Sequence, residues 1–316
     1  MKYYIGVDGG GTKSIVALFD ENKNQLDAVK TSGSNHENLA GSFDEAADVI
    51  MGAVDELLAK NKLTYDSITG CLMGLAGIDH QWQHDKLADI LTSRGLKNFY
   101  IYNDGFIITK AGLPDGIGIG YNCGTGTCCN SFDEDGNMLQ IGGFGDFSQD
   151  KGNGHWIAFR TFTAIYDDVC LGIRPTAMTK AYFALKNQAP TRENVLDIVG
   201  YIDTEDEEKS EPVIRMLLDV YFDALNGGDA VALAISREMA ERGAEYITAH
   251  LKKQNFGDNV KVVLSGSMHA KLPSKVYVDM LKDECNKRAN GKALEFITLS
   301  EPPIKGCINW LLEKEN

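Results

Sequence analysis

Tyr4-Ile5-Gly6-Val7-Asp8-Gly9-Gly10-Gly11-Thr12-Lys13-Ser14 runs an apolar strand into a carboxylate, three glycines and a hydroxyl. Residues up to Val7 read as a buried strand. The glycines that follow can turn at positive φ and bring backbone N–H groups close to an anion. Asp8, at the mouth of the turn, is placed to hold a hydrated Mg²⁺, because hard cations share carboxylate and water oxygens with substrate phosphates. The spacing matches neither a Walker A loop nor the G-x-G-x-x-G of a dinucleotide fold. Taken alone, such a turn equally fits a strained hairpin between two strands.

A second copy shifts that balance. Thr12 falls on Thr125 at an offset of 113 residues, and at the same offset Gly11 meets Gly124 and Phe19-Asp20-Glu21 meets Phe132-Asp133-Glu134. Asn24 also meets Asn137, and Leu26 meets Leu139, without a gap. Strand, glycine-rich hairpin, strand and acidic turn therefore occur twice, which predicts two domains that start alike and face each other across a cleft. Asp8 falls on Tyr121. One lobe is thus expected to hold a metal and the other mainly to bind phosphate.

Asp8 to Lys13, Ser34-Asn35-His36, Asn103-Asp104, Gly124-Thr125-Gly126-Thr127, Gly142-Gly143-Phe144-Gly145 and Leu264-Ser265-Gly266-Ser267 occur in this order. The set resembles the motifs of the N-acetylglucosamine kinases and the related BadF/BadG-type ATPases, in the superfamily of sugar kinases, actin and chaperone ATPases. The resemblance implies an α/β fold of two ribonuclease-H-like, actin-like ATPase lobes with a cleft between them, closing on ATP and a sugar. The breaker Leu113-Pro114-Asp115-Gly116 sets the hinge. That gives an N-terminal lobe at 1–115, a C-terminal lobe at 116–303, and by resemblance a terminal helix, 304–316, crossing back to the first lobe.

The resemblance also suggests roles. Gly10, Gly11, Thr12 and Lys13 would cradle phosphate with Thr125, Gly126 and Thr127, Asp8 would hold Mg²⁺, and Gly266 and Ser267 would line the adenosine site. The sugar would lie among Asn35, Ala76, Gly77, Asp104, Gly143, Phe144, Gly145, Asp150 and Lys151. Asp104 would be the catalytic base. It stands at the C-terminal end of the strand Phe99 to Tyr102, where open α/β sheets place ligands, and phosphoryl transfer to an alcohol needs a carboxylate to orient the hydroxyl and take its proton. From the residues alone Asp104 could instead cap the helix that follows, Asn35 could simply make a turn, and Gly266 could serve packing. Phe144, Gln149, Lys151 and Asn153 depart from the family's Gly-Gly-Trp-Gly and Gly-Asp-Glu-Gly-Ser. A lysine in place of the glutamate would favour a sugar bearing a carboxylate, such as N-acetylmuramic acid; a solvent-facing Lys151 on a variable loop fits the residues equally.

At 316 residues the chain has room for two cores, and 43% hydrophobic with 24% charged residues is ordinary for a globular protein. A net charge of −14 argues against nucleic acid or an anionic membrane as partner. The first strand begins at residue 3 and no apolar run approaches a membrane span, so no signal peptide is expected and a cytoplasmic location is. Seven scattered cysteines without a C-x-x-C pair fit a reducing compartment and lack the zinc cluster of the repressor/kinase-family glucokinases. His80 and His84 could share a helix face, but no third metal ligand is near in sequence.

Ser42-Phe43-Asp44-Glu45 reads as a capping box, with Phe43, Ala47, Ile50, Val54, Leu57 and Leu58 on the buried face of its helix. Asp79 reads as the cap of a helix running to Gly95. Arg174 to Phe256 reads as almost wholly helical, and acidic Asp203 to Glu211 as a solvated loop. The expected activity is ATP-dependent phosphorylation of the 6-hydroxyl of an amino sugar, N-acetylglucosamine or N-acetylmuramic acid, by a homodimer. Alternatives are a glucosamine kinase, an ATPase that activates a redox partner through a cysteine-held iron–sulfur cluster, and a sugar sensor. No convincing cluster cysteine is present, and a sensor needs neither Asp8 nor Asp104.

Overall fold

The computed structural model describes residues 1–113, 116–202, 204, 206–270 and 275–315. Strands β1 (Tyr3–Gly9), β2 (Lys13–Asp20) and β3 (Gln25–Ser32) form an antiparallel meander. It continues through α1 (Ser42–Asn61), β4 (Ile68–Leu75), α2 (Gln81–Ser93), β5 (Phe99–Tyr102) and α3 (Asp104–Gly112). These strands make one sheet in the order β3-β2-β1-β4-β5, with β4 parallel to β1 and β5 parallel to β4.

The pattern then recurs. A second meander, β6 (Gly118–Cys123), β7 (Thr127–Phe132) and β8 (Met138–Gly142), leads into five helices: α4 (Gly154–Tyr166), α5 (Ala177–Lys186), α6 (Arg192–Ile202), α7 (Glu207–Asn226) and α8 (Ala230–Lys253). Strand β9 (Asn259–Ser265), the short α9 (Ser267–Ala270), α10 (Val276–Arg288), β10 (Ala293–Thr298) and α11 (Lys305–Glu315) complete the chain. The second sheet has the order β10-β9-β6-β7-β8, matching the first.

The repeat holds down to single hydrogen bonds. Asp20 Oδ1 accepts from the N–H groups of Asn22 and Asn24, both at 2.9 Å, and Oδ2 accepts from Asn24 Nδ2 at 2.9 Å. Asp133, its counterpart, accepts from the N–H groups of Asp135 (3.1 Å) and Asn137 (2.8 Å) and from Asn137 Nδ2 (3.1 Å). An Asp side chain folded onto its own following backbone makes a tight turn, and in the second copy Asp133 Oδ2 accepts in addition from the distant Asn255 N–H at 3.1 Å. The same local sequence therefore gives the same hairpin twice.

The apolar face of α1 is buried as its periodicity predicts, against a core that includes Ile5, Val7, Val16 and Leu91. Its start differs from the expected capping box. Gly41 is the N-cap, Ser42 lies inside the first turn at φ 50°, and Glu45 Oε2 accepts from Gly41 N–H at 2.7 Å. The glutamate half of the box forms and the serine half does not. The acidic stretch from Asp203 is also only partly loop, because α7 begins at Glu207 and carboxylates are favoured at a helix N-terminus. Asp203 and Glu205 lie outside the described residues, as do Pro114 and Asp115 of the expected hinge.

Helix α11 returns to pack on α3, β1 and β4. Tyr4, Leu72, Ile107, Ile308, Trp310 and Leu311 share one cluster with Phe132 of β7. Lys110 Nζ, nearly buried, binds Glu313 Oε2 at 2.6 Å and lies 4.3 Å from the centre of the Phe132 ring. The helices approach closely because Gly306 has no side chain: a Cβ there would stand 1.9 Å from the carbonyl oxygen of Ile107. We therefore expect Gly306→Ala to push α11 off α3 and cost about 1–3 kcal/mol in urea unfolding, as overpacking of a core does. Gly52→Ala, on the exposed face of α1 with no neighbour in reach, should instead be neutral or stabilise by up to about 1 kcal/mol. Equal stabilities for the two variants would contradict the close crossing.

Candidate functional site

The ends of both sheets open onto one cleft of about 660 Å³. From the β1–β2 turn, Asp8, Gly10, Gly11, Thr12 and Lys13 line it, and from the β6–β7 turn Gly124, Thr125, Gly126 and Thr127 face them. Each turn is closed by its own backbone, Gly10 N–H to Lys13 O at 3.1 Å and Gly124 N–H to Gly126 O at 2.9 Å. Gly266 and Ser267 line the cleft at the end of β9. Gly266 has φ +90°, and a Cβ on it would lie 2.2 Å from the Cys123 carbonyl, so only glycine fits where this turn passes β6.

Asp104 sits at the end of β5 as the first residue of α3. The cap of that helix is Asn103, whose Oδ1 accepts from Gly105 N–H at 2.9 Å, so the capping alternative for Asp104 falls away. Burial pushes the Asp104 carboxyl up to about 7, and the charges of Asp8 and Asp79 push in the same direction. Burial also raises Asp8 to about 6, partly offset by Lys13. Among the described residues no group of three or more His, Cys, Asp or Glu could hold a metal. A single carboxylate at the mouth of a glycine turn nevertheless fits Mg²⁺, which keeps most of its ligands as water and substrate oxygen. The carboxylate of Asp8, whose charge Lys13 offsets only in part, suits that ion.

Asn35, Ala76, Gly77, Gly143, Gly145 and Asp150 line the rest of the cleft. Asn35 does make a turn, accepting from Glu37 N–H at 3.0 Å, and lines the cleft as well. Asp150 is buried. Its Oδ2 accepts from the N–H groups of Gly143 and Gly145, both at 2.9 Å, and its Oδ1 accepts from the Tyr246 hydroxyl. It thus fixes the shape of the 143–150 loop. Phe144 and Lys151 are not among the lining residues: Phe144 is half-exposed, and Lys151 Nζ lies 3.9 Å from Glu238, which also holds Arg160 at 2.6 Å.

Of the lining residues that the sequence reading gave no site role, among them Glu37, Asn38, Asn122 and Cys128, two are tied to each other: Asp79 and Gln140. Asp79 does not cap α2; His80 holds that position, and Gln83 Oε1 accepts from the N–H groups of Asp79 (2.9 Å) and His80 (2.8 Å). Released from the cap, Asp79 Oδ1 accepts from Asn103 Nδ2 at 3.0 Å and from Gln140 Nε2 at 2.7 Å. Gln140, on β8, carried no signal of its own.

Residues 5–303 match the family model of the BadF/BadG/BcrA/BcrD ATPases. Over 84% of each chain, the protein is 26% identical to an N-acetylmuramic acid/N-acetylglucosamine kinase of Clostridium acetobutylicum. A second match, 25% identical to an N-acetyl-D-glucosamine kinase of Dictyostelium discoideum, spans 49% of this chain and 51% of that one. The fold is similar to a structure from Chromobacterium violaceum provisionally named an N-acetylglucosamine kinase (TM-score 0.69, 20% identity, 99% of each chain). It is similar also to a ROK family glucokinase from Streptomyces griseus in complex with glucose and AMPPNP (TM-score 0.58, 15% identity, 97% of each chain). With a family model matched over nearly its whole length and the two-lobed fold those neighbours share, the chain belongs to the BadF/BadG/BcrA/BcrD ATPase family.

Proposed function

We propose that the protein is an ATP-dependent amino-sugar kinase that phosphorylates the 6-hydroxyl of N-acetylglucosamine, with N-acetylmuramic acid as a second acceptor. The observation that carries this reading is the convergence, in one cleft, of both copies of the glycine turn with a carboxylate poised near neutrality. The names of the curated relatives support the choice of sugar.

Asp104 accepts the proton of the attacking hydroxyl as the phosphoryl group is transferred, and its raised affinity for a proton suits a base working near neutral pH. Gly10, Gly11, Thr12 and Lys13 on one side, and Thr125, Gly126 and Thr127 on the other, supply N–H, hydroxyl and ammonium groups to the phosphates. Positioning and charge stabilisation of this kind provide most of the catalysis in phosphoryl transfer. Mg²⁺, held by Asp8 through water, would neutralise phosphate charge. Gly266 and Ser267 take the adenosine end, and Asn35, Ala76, Gly77, Gly143 and Gly145 surround the sugar. Asp150 holds the loop that carries the last two. Phe144 and Lys151 fall outside this set, so discrimination for the acidic sugar by Lys151 has no support in its pairing with Glu238.

The lobes are assigned as 1–115 with α11, and 116–303, closing about their junction when both substrates bind. A cytoplasmic homodimer completes the reading. No helix among the described residues is long and apolar enough to cross a membrane.

ADP release measured with N-acetylglucosamine, N-acetylmuramic acid, glucosamine and glucose should rise well above a no-sugar blank for the two N-acetylated sugars. Equal release in the blank would favour an ATPase that serves a partner protein. Asp104→Asn keeps the shape but cannot take a proton, so kcat should fall by ~10²-fold or more with little change in the sugar KM. In the wild type kcat/KM should rise with pH through about 7, the range to which the Asp104 carboxyl is pushed. A flat profile across pH 6–8, or near-normal turnover in the variant, would remove Asp104 as the base.

A further inference from the structure

Asp79 stands where the first lobe meets β8 of the second. Its Oδ1 takes two hydrogen bonds at once, from Asn103 on one side and Gln140 on the other. Asn103 is held at both ends of its amide, since its Oδ1 caps α3 at Gly105 N–H. The residue after Asn103 is Asp104, the first of that helix. Gln140 precedes, on the same strand, the loop in which Gly143, Gly145 and Asp150 line the cleft. A single carboxylate oxygen therefore links the second lobe to the residue that sets the first turn of α3.

The same three side chains also form a wall. Behind them lies a second hollow of about 510 Å³, and Asp79, Asn103 and Gln140 line both it and the cleft. If the tie opened, water from that hollow would gain a path to the back of Asp104.

We propose that Asp79 is a positioning residue for the base, and that the chain Gln140–Asp79–Asn103 makes the orientation of Asp104 depend on where the second lobe stands. A base displaced by about 1 Å can lose up to ~10²-fold in rate. With the lobes together, both donors reach Asp79 and α3 starts in register. With the lobes apart, Gln140 withdraws and Asn103 keeps a weakened anchor. The base is then fully aligned only when the cleft is closed over its substrates. This inference rests on the kinase reading above.

The test compares Asp79→Ala, Asp79→Asn, Gln140→Leu and the Asp79→Ala/Gln140→Leu double variant at saturating ATP and N-acetylglucosamine. Asp79→Ala should lower kcat by roughly tenfold or more while the KM for ATP stays within about twofold. Asp79→Asn keeps an oxygen that accepts from both amides, and should recover most of the loss. The double variant should be no worse than Asp79→Ala alone, because the two residues act through one link. Additive losses, a fall confined to KM, or an Asp79→Asn variant as slow as Asp79→Ala would overturn the proposal. If Asp79→Ala does not fold, Gln140→Leu decides: reduced kcat at unchanged KM for ATP supports the link, and unchanged kcat removes it. A wild type without sugar-dependent ADP release would instead defeat the kinase reading itself.

Discussion

Asp8 and Asp104 are carried into one cleft on the ends of β1 and β5, and both resist ionisation there. Each is raised mainly by burial, and Asp104 also feels the charge of Asp8. Because the folded value of Asp104 lies above that of a free carboxyl, its contribution to stability is full at low pH and is lost as pH rises through about 7. The fold bears that cost near neutrality, as is common at active sites, where stability is exchanged for chemistry. Bound Mg²⁺ at Asp8 would relieve one charge, and proton uptake from a hydroxyl would relieve the other. Both are consistent with phosphoryl transfer to an alcohol.

The rest of the architecture serves to bring these groups together. Two meanders of the same sequence pattern present glycine turns from opposite sides, and the Asp20 and Asp133 turns close both hairpins in the same way. The copies diverge at the mouth of the turn. Asp8 of the first is replaced by Tyr121 in the second, a fully buried residue packed beside His269. Helix α11 then binds the start of the chain to its centre through the Gly306–Ile107 contact, so β1 and α3 are held by one packed cluster.

Much of this was legible in the sequence because the decisive signals are local. The glycine turns, the Asx turns, the repeat at constant spacing and the Asn103-Asp104 pair each lie within a few residues of their own structural consequence. The errors came where a side chain chose a distant partner over a near one. Asp79 looked like the cap of α2, but Gln83 satisfies those N–H groups, and Asp79 turns to Asn103 and Gln140, 24 and 61 residues away. Lys151 fitted both a sugar contact and a solvent-facing loop, and its 3.9 Å approach to Glu238 on α8 and its place outside the cleft lining favour the second. Ser42 fits a capping box in sequence, yet the backbone bends one residue earlier, at Gly41. No local pattern contains those long-range choices.

The central claim, transfer of a phosphoryl group to a sugar hydroxyl within this cleft, is tested most directly by the product. The protein would be incubated with ATP, Mg²⁺ and uniformly ¹³C-labelled N-acetylglucosamine, and the mixture followed by ³¹P and ¹³C NMR. The account predicts a new phosphomonoester whose phosphorus couples to C6 of the sugar, formed at the rate at which ADP appears. Inorganic phosphate accumulating in its place, with the sugar unchanged, would contradict it.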